Sequence, residues 1–540
     1  MAQIQFKGKC FVQNHHLLVK YHELIPRKNK SLTDKVSLRD NLIIHGDNLK
    51  ALKALLPQYA GRVKCVYIDP PYNTGNENWA YNDNVNSPMM QEWLGKVVDR
   101  EDLTRHDKWL CMMTPRLKII WELLRDDGAI FISIDDNEIH HLQMLMDEIF
   151  QNGFVGKFIW RKKEGGGQTD DYFVTEHEYI LVYQKSENFA WIDEIIPKEE
   201  KEFNKEDESG KFTAVKLAKW GTGARRKDRP KMYFPITAPD GSKVYPITPD
   251  GNEGRWRVGK SRMDFLVENN LIHWIKKNKE YVAYEKHYFE KGDVKKIKER
   301  SILYDLATTG DASNTLKEIF GEKDVFENVK PQQLISFFID RTTGKDSIVL
   351  DSFAGSGTTA HAVLALNKED GGKRKFILIE CEDYADKVTA ERVRRVIKGV
   401  PKAKNENLRK GLGGTFSYFE LGNAIDIEGM LSGKNLPSYE ELARYLFHTA
   451  TGEEFDERAV DEKRNFIGES KNHLVYLFYK PDIEILKNTA LTLDKAKAFG
   501  RVRGKRRLVF APTKYLGQDY LEELQIDFAQ LPFEIYEMAR

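Results

Sequence analysis

Two short segments of this chain combine residue types that could carry out chemistry. The first is Asp69-Pro70-Pro71-Tyr72, which follows the apolar run Val63–Ile68. Proline fixes φ and donates no backbone hydrogen bond, so the paired prolines make a rigid exit from a strand. Asp69 and a proline carbonyl can both accept hydrogen bonds from an exocyclic amine, while Tyr72 offers a ring for stacking. The segment therefore predicts a pocket for a flat, amine-bearing ring, with a plain strand terminus as the alternative.

The second segment, Asp351–Gly357, is a glycine turn after the apolar run Ile348–Leu350. Glycine lets backbone N–H groups approach a ligand closely, and the start of the following helix favours an anionic group. Thr358 stands where a phosphate-binding loop needs lysine, and the third glycine of a dinucleotide fingerprint is missing. Glu380, at the tip of the next strand, is placed to accept hydrogen bonds from ribose hydroxyls. These features indicate an adenosyl cofactor with an unphosphorylated ribose; the alternative is a tight turn beside an exposed glutamate.

Strands and helices alternate along the chain before and after a long stretch that lacks this pattern. The resulting α/β framework must position the two segments. Strands that are largely apolar without alternation, such as Val63–Ile68 and Ala129–Ile134, favour a mostly parallel sheet covered on both faces. The pattern stops where turn signals and interleaved aromatic and basic residues crowd in, and it resumes at Ser347–Leu350. We predict an α/β fold with a doubly wound, mostly parallel sheet, split by an insertion and followed by a C-terminal α/β domain. The predicted divisions are an N-terminal extension (1–40), a first half of the α/β domain with the Asp69 segment (41–190), an insertion (191–310), a second half with the glycine turn (311–400) and a C-terminal domain (401–540).

Composition excludes several classes of protein. The chain of 540 residues has 84 Lys and Arg against 83 Asp and Glu, so any contact with nucleic acid must come from local basic patches. Four widely spaced cysteines argue against a disulfide framework or a zinc site and fit a reducing compartment. No apolar run approaches the roughly 20 residues needed to cross a bilayer. We therefore expect a soluble, intracellular protein with no membrane partner.

The two motifs together resemble those of DNA amino-methyltransferases. The catalytic motif precedes the cofactor motif, which is the circularly permuted order of the β class. Within that class the chain looks like the modification subunit of type III restriction–modification systems. The resemblance covers most of the chain and includes four further segments: His45–Leu49, Asp127–Asp136, Glu176–Tyr183 and Lys330-Pro331.

The resemblance implies S-adenosylmethionine as the cofactor and a role for each matching residue. Asp69, Pro70, Pro71 and Tyr72 would be catalytic. Asp351 would lie near the methionine amine of the cofactor, Phe353 near its adenine face, Glu380 on its ribose and Asp47 near its adenine amine. The residues expected to surround the methionine tail and complete the turn are Lys330, Pro331, Ala354, Gly355, Ser356, Gly357 and Thr358. Aspartate at position 69 favours adenine N6 over cytosine N4, where serine is commoner; cytosine N4 stays open as the alternative.

Double-stranded DNA is the implied substrate, and a base inside a duplex must be flipped out to reach such a pocket. The insertion is the expected reader of sequence, through basic residues that could contact phosphates or guanine edges. These candidates are Arg225, Arg226, Lys227, Arg229, Arg255 and Arg257. The alternative is that they are solvated surface charges. The cluster from Arg501 to Arg507 is equally open between DNA contact and solvation.

The resemblance also suggests a homodimer and a helicase–nuclease restriction subunit as partners. The chain has no phosphate-binding loop of its own, so we expect it not to hydrolyse ATP. A subunit whose DNA binding matters more than its turnover is the remaining alternative. Two adjacent histidines, His140 and His141, do not face the same side of a helix, and Cys65 lies in a core strand. We accordingly expect no metal and no covalent nucleophile.

Overall fold

The computed structural model describes residues 3–74, 105–165, 172–277, 280–290, 292–425, 436–500 and 504–531. Gly75, at the end of the catalytic segment, and Arg501 and Arg503 of the second basic cluster lie outside these ranges. The chain divides into two compact units. The first comprises residues 1–192 and 300–540, and the second comprises Asp193–Glu299.

A sheet of ten strands forms the centre of the first unit, as far as the described residues show. In chain order the strands are β1 (His22–Pro26), β2 (Leu42–His45), β3 (Val63–Ile68), β4 (Leu124–Ile134), β5 (Phe154–Arg161), β6 (His177–Gln184), β7 (Ile302–Leu303), β8 (Ile348–Asp351), β9 (Lys375–Glu380) and β10 (Ser417–Ala424). Their spatial order is β1-β10-β2-β9-β8-β3-β4-β6-β5-β7. The stretch from β10 to β4 is parallel throughout, whereas β6 runs antiparallel to both β4 and β5.

Both faces of this sheet are covered, because successive residues of its strands enter different cores. In β3, Val66 and Ile68 pack into one hydrophobic cluster, while Cys65 and Tyr67 pack into the other. Parallel strands buried on both faces read as continuous apolar runs, which is why their sequences lack alternation. The predicted doubly wound, mostly parallel α/β fold is confirmed.

Helices of the first unit supply the two outer layers. Those of the first cluster include Asn48–Tyr59, Arg105–Leu123 and Ile139–Phe150, and those of the second include Gln332–Thr342 and Thr358–Asp370. The remaining α-helices are Lys9–Val12, His15–Leu18, Thr309–Phe320, Glu391–Lys398, Glu406–Lys410, Tyr439–Thr451, Ile483–Lys487, Leu493–Ala498 and Gln518–Glu523, and a π-helical turn at Ala385–Ala390 leads into Glu391–Lys398. None of the helices in the described ranges combines the length and the apolar character that a bilayer span requires.

Two features of the first unit run against local expectation. Pro115 lies inside the helix Arg105–Leu123 rather than at a first turn, where proline is favoured. Residues 1–40, expected to be an N-terminal extension, contribute the strand β1, which pairs with β10 at the edge of the main sheet. Leu24 of that strand is buried in the first core cluster, so this part of the chain packs with the main sheet.

The C-terminal residues form a second, smaller α/β arrangement within the first unit. Three parallel strands, His473–Leu477, Arg506–Ala511 and Ile526–Gln530, are joined by an antiparallel strand at Phe466–Glu469. Ala490–Leu491 and Thr513–Lys514 make a further short parallel pair.

The second unit is built differently, from antiparallel strands. Its four-stranded sheet has the order Ile272–Lys277, Glu280–Tyr288, Gly210–Lys216 and Lys205–Asp207. The helix Lys260–Glu268 contributes Met263 and Leu266 to a small core around Trp256. Two short antiparallel pairs complete the unit: Glu194–Pro197 with Val294–Ile297, and Ile236–Thr237 with Lys243–Val244.

Phe338 provides a test of the second core cluster. Its fully buried ring lies 4.7 Å from the ring of Phe131, 5.4 Å from that of Phe158 and 6.4 Å from that of Tyr67. We expect Phe338→Ala to lower the free energy of unfolding by about 3–5 kcal/mol, because the cavity cannot close around so many rings. Urea denaturation followed by tryptophan fluorescence measures the change. Phe173→Ala, at a side chain that is 79% exposed, is the control and should change it little.

Candidate active site

Four neighbouring parallel strands bring the predicted motifs to one edge of the main sheet. Asp69 follows β3, Asp351 ends β8, Glu380 ends β9, and Asp47 lies two residues beyond β2. The strand order places β3 beside β8, β8 beside β9 and β9 beside β2. Ligands of open α/β sheets bind outside such carboxyl ends. The two motifs, far apart in the chain, therefore face one common site.

The Asp69 carboxylate is held by two partners. Nζ of Lys330 donates to its two oxygens at 2.9 and 2.7 Å, and the hydroxyl of Tyr72 donates to Oδ1 at 2.8 Å. The Lys330 ammonium also lies 5.0 Å from the centre of the Tyr72 ring. Lys330 was predicted beside the cofactor tail, and in the structure its ammonium contacts the carboxylate of Asp69.

Glu178 completes this network and was not assigned from sequence. Its Oε2 accepts from the Tyr72 hydroxyl at 3.1 Å and lies 3.3 Å from Nζ of Lys330, while its Oε1 accepts from Nζ of Lys162 at 3.1 Å. Glu178 reaches the site because β6 runs antiparallel to β4, so its first residues lie at the edge where the parallel strands end. The signal available in the sequence was a glutamate directly before the apolar run Tyr179–Tyr183.

In this network, the pKa of each buried group depends on the opposite charges beside it. Burial raises the pKa of Asp69, against the opposing effect of Lys330. Burial acts to raise the pKa of Glu178 as well, but the ammonium groups of Lys330 and Lys162 hold it below its usual value. Burial favours the neutral form of Lys330, yet Asp69 and Glu178 together hold its pKa above the usual value. The network thus contains two carboxylates and two ammonium groups.

The glycine turn is shaped by Glu380. One carboxylate oxygen of Glu380 accepts from the N–H of Gly355 at 2.7 Å, and the other accepts from the N–H groups of Cys381 and Glu382 at 2.9 and 3.1 Å. Gly357 has a φ of 82°, and a Cβ there would lie 3.0 Å from the carbonyl oxygen of Thr389. Burial raises the pKa of Glu380 to about 7. The oxygen bound to Gly355 retains a lone pair for a ligand hydroxyl.

Asp351 is fixed at the start of the same turn. Its carboxylate accepts from Oγ1 of Thr359 at 2.5 Å and from the N–H of Phe353 at 3.0 Å. Burial raises its pKa to about 7. Phe353 and Ala354 are both 5% exposed. Asp351 therefore presents a carboxylate in a largely apolar surrounding.

Two further residues support the turn from outside the predicted set. Arg392, which is buried, donates to Oγ of Ser356 at 2.8 Å and to Oγ1 of Thr358 at 2.7 Å. Asn48 donates to the carbonyl of Ser352 at 3.0 Å, which ties the helix after Asp47 to the turn. Neither residue lies in a sequence pattern that identifies it, because both act through distant contacts.

A cluster of side chains holds the outer side of the Asp69–Tyr72 turn. Asn73, at a φ of 55°, donates to the carboxylate of the buried Glu138. That carboxylate also accepts from Nδ1 of His106 at 2.7 Å and from Nδ1 of His141 at 3.0 Å. His106, Glu138 and His141 could hold a metal ion, since one ligand atom from each lies within 4.8 Å of the others. Both oxygens of the carboxylate already accept hydrogen bonds from these side chains, and the expectation of no metal stays a prediction.

The predicted DNA-binding residues all lie in the second unit. Arg225 forms an ion pair with Asp250 at 3.1 Å, and Arg226 forms one with Glu253 at 3.0 Å. Both arginines are about half exposed, so these pairs are weak and can be exchanged for other anions. Nε of Arg255 donates to the carbonyl of Gly223 at 2.6 Å. The others, Lys227, Arg229 and Arg257, are exposed.

Comparisons with known proteins identify relatives of this chain. Residues 63–242 and 250–391 match the family described as DNA methylase. The chain is 38% identical over 380 residues to the type III restriction-modification enzyme EcoPI Mod subunit of Escherichia phage P1, covering 64% of this chain and 58% of that protein. It is 32% identical over 443 residues to the StyLTI Mod subunit of Salmonella typhimurium, covering 76% and 65%. The chain thus spans less than two thirds of the length of these two relatives.

Shorter relatives are covered more fully. The type II methyltransferase M.KpnI of Klebsiella pneumoniae is 36% identical over 368 residues, covering 65% of this chain and 82% of that protein. Among solved structures, the M1.HpyAVI–SAM complex aligns over 65% of this chain and 99% of its own, at 16% identity and a TM-score of 0.31. Because the family model matches more than half of its residues, the chain belongs to the DNA methylase family.

Proposed function

We propose that this protein transfers a methyl group from S-adenosylmethionine to the N6 amine of an adenine flipped out of duplex DNA. The observation that carries the proposal is the meeting of the Asp69–Tyr72 turn and the Asp351–Gly357 turn at one sheet edge. Mod subunits and type II methyltransferases among the relatives support it. Aspartate at position 69 favours adenine over cytosine.

The chain's own residues would bind and orient the amine. The Asp69 carboxylate accepts one of its hydrogens and the carbonyl of Pro70 accepts the other, since the carbonyl of Pro71 already accepts from the indole of Trp109 at 2.7 Å. The two hydrogen bonds aim the nitrogen lone pair out of the ring plane. With S-adenosylmethionine bound, its activated methyl group would be the acceptor for that lone pair, and the amine would release its extra proton to solvent afterwards. Alignment and electrostatic preorganisation supply the catalysis.

The residues at the glycine turn fit S-adenosylmethionine, which supplies the activated methyl group. Asp351 offers a buried carboxylate for the amino group of its methionine part. Glu380 keeps a lone pair for a ribose hydroxyl, and Phe353 offers an apolar face for adenine. Asp47 lies next to the turn and is proposed for the adenine amine. Gly355–Thr358 with Pro331 would complete the binding site.

The direct test is transfer of labelled methyl to whole-genome-amplified bacterial DNA, which carries every sequence without prior methylation. Digestion to nucleosides separates N6-methyladenine from N4-methylcytosine. Labelled N6-methyladenine is the expected product. N4-methylcytosine would reassign the target base, and no transfer would leave DNA binding as the protein's contribution.

The affinity for S-adenosylmethionine is expected to fall as the pH drops. The pKa of Asp351 is about 7, so below that pH its carboxyl is protonated and must lose a proton to pair with the cofactor's cationic amine. Between pH 7.5 and 5.5 we expect a roughly tenfold weaker affinity, with protons released on binding at the lower pH. Isothermal titration calorimetry in buffers of different ionisation enthalpy measures both. An affinity that does not change with pH would contradict a charged Asp351–amine contact.

We also propose DNA reading by the second unit and assembly as a homodimer, with a helicase–nuclease subunit as a further partner. The exposed, exchangeable arginine pairs of the second unit support the first point. The names of the Mod relatives support the last. Light scattering should give twice the chain mass, and a stable monomer would contradict the dimer. A cytoplasmic location, with DNA as the contact to the nucleoid, completes the proposal.

A further inference from the structure

Lys330 already makes the contact that the target amine needs. Its ammonium donates to both oxygens of Asp69, at 2.9 and 2.7 Å, in the same pocket where Tyr72 offers its ring. The Lys330 side chain is 7% exposed, so water cannot easily solvate it in place of the carboxylate. An entering base must therefore share Asp69 with a buried cation or displace that cation.

Sharing Asp69 conflicts with the chemistry of the proposed reaction. The amine nitrogen gains positive charge as it accepts the methyl group. An ammonium on the same carboxylate repels that charge and weakens the stabilisation that Asp69 can give, and the effect is strong where water is excluded. The pocket therefore works better if Lys330 moves off Asp69 before methyl transfer.

Glu178 is placed to receive the ammonium. Its Oε2 lies 3.3 Å from Nζ of Lys330, a short shift from full contact. The glutamate side chain is itself only 8% exposed, and its other oxygen is held by the Lys162 ammonium at 3.1 Å. The Tyr72 hydroxyl lies 2.8 Å from Asp69 and 3.1 Å from Glu178. Its single hydrogen can be donated to either carboxylate as Lys330 moves from one to the other.

We propose that Lys330 occupies the place of the target amine on Asp69 in the unliganded protein, and that Glu178 is a positioning residue that takes over the Lys330 ammonium when the base enters. This inference rests on the proposed function. It assigns to Lys330 a contact with the acceptor side of the reaction and to Glu178 a role in freeing Asp69. No covalent step is involved, and the ammonium keeps its proton throughout.

The test compares single-turnover rates of methyl transfer to whole-genome-amplified DNA at saturating S-adenosylmethionine. Glu178→Gln keeps the size of the side chain but loses the charge that attracts Lys330. We expect it to slow transfer by at least about tenfold, with little change in cofactor affinity. The charge-balanced double variant Glu178→Gln/Lys330→Met removes the competing ammonium and should be at least about tenfold faster than Glu178→Gln alone. Glu176→Gln, whose carboxylate accepts from the backbone of Gly165, is the matched control.

The pH profile separates this role from a structural one. Without Glu178, burial of Lys330 is opposed by a single carboxylate, so the pKa of Lys330 falls from its raised value. The rate of Glu178→Gln should therefore rise as the pH is raised toward the usual lysine pKa of about 10.4, because Lys330 then loses its proton and releases Asp69. The double variant should show no such rise.

Each outcome decides the inference. A double variant as slow as Glu178→Gln, or a single variant whose rate does not change with pH, overturns the exchange and leaves Glu178 as a structural residue. A fall in cofactor affinity specific to Lys330→Met assigns Lys330 to the cofactor and also overturns it. Failure of the proposed function is distinguishable, because the wild-type protein would then transfer no methyl group.

Discussion

Replacing Asp69 by asparagine is expected to lower the single-turnover rate of methyl transfer by about 100- to 1,000-fold. The substitution keeps the shape of the side chain but removes the charge that stabilises the amine as it becomes positive. It also leaves the buried ammonium of Lys330 with Glu178 as its remaining carboxylate partner. Rapid-quench measurement with labelled cofactor and whole-genome-amplified DNA gives the rate directly.

Binding measurements distinguish this loss from misfolding. Affinity for S-adenosylmethionine should stay within about threefold of wild type, because the direct contacts of Asp69 are to Lys330 and Tyr72. Asp136→Asn is the matched control, an exposed aspartate beyond the end of the neighbouring strand β4 that accepts from the Tyr179 hydroxyl at 3.0 Å. A rate of methyl transfer by Asp69→Asn equal to that of the wild type would contradict the proposed mechanism.

Replacing Asp351 by asparagine should weaken S-adenosylmethionine binding by about 10- to 100-fold, the size expected for a hydrogen bond to a charged group in a buried site. The carboxylate accepts from both Thr359 and the backbone of Phe353, and an amide cannot accept with its nitrogen. The turn should therefore lose both a fixed contact and the charge for the cofactor amine. Calorimetry of the purified protein with the cofactor measures the affinity.

The variant also tests the assignment of the pH dependence. If Asp351 is the group that titrates, Asp351→Asn should abolish most of the fall in affinity between pH 7.5 and 5.5. Asp346→Asn, at an exposed position just before the same strand β8, is the control and should keep wild-type affinity and pH dependence. Normal affinity in Asp351→Asn would place the methionine amine elsewhere.

Several elements beside the candidate site were predicted from the sequence with nearly the observed bounds. The strand Val63–Ile68 has the bounds that were predicted, because five apolar residues and Lys64 are followed, after Asp69, by a diproline that cannot continue a ladder. The strand Ile348–Asp351 and the glycine turn after it are equally local features, since left-handed φ values at Gly355 and Gly357 require glycine.

Sequence alone determined the fold class, the two motifs and their permuted order, because each depends on residues that are neighbours in the chain. Tertiary structure decided which charges meet Asp69. Lys330 lies 261 positions from Asp69 in the chain. It reaches Asp69 only because the segment before the helix Gln332–Thr342 lies at the same edge of the sheet. Glu178 reaches it only because β6 is reversed against β4. Strand direction and packing set these contacts, and no local pattern records them.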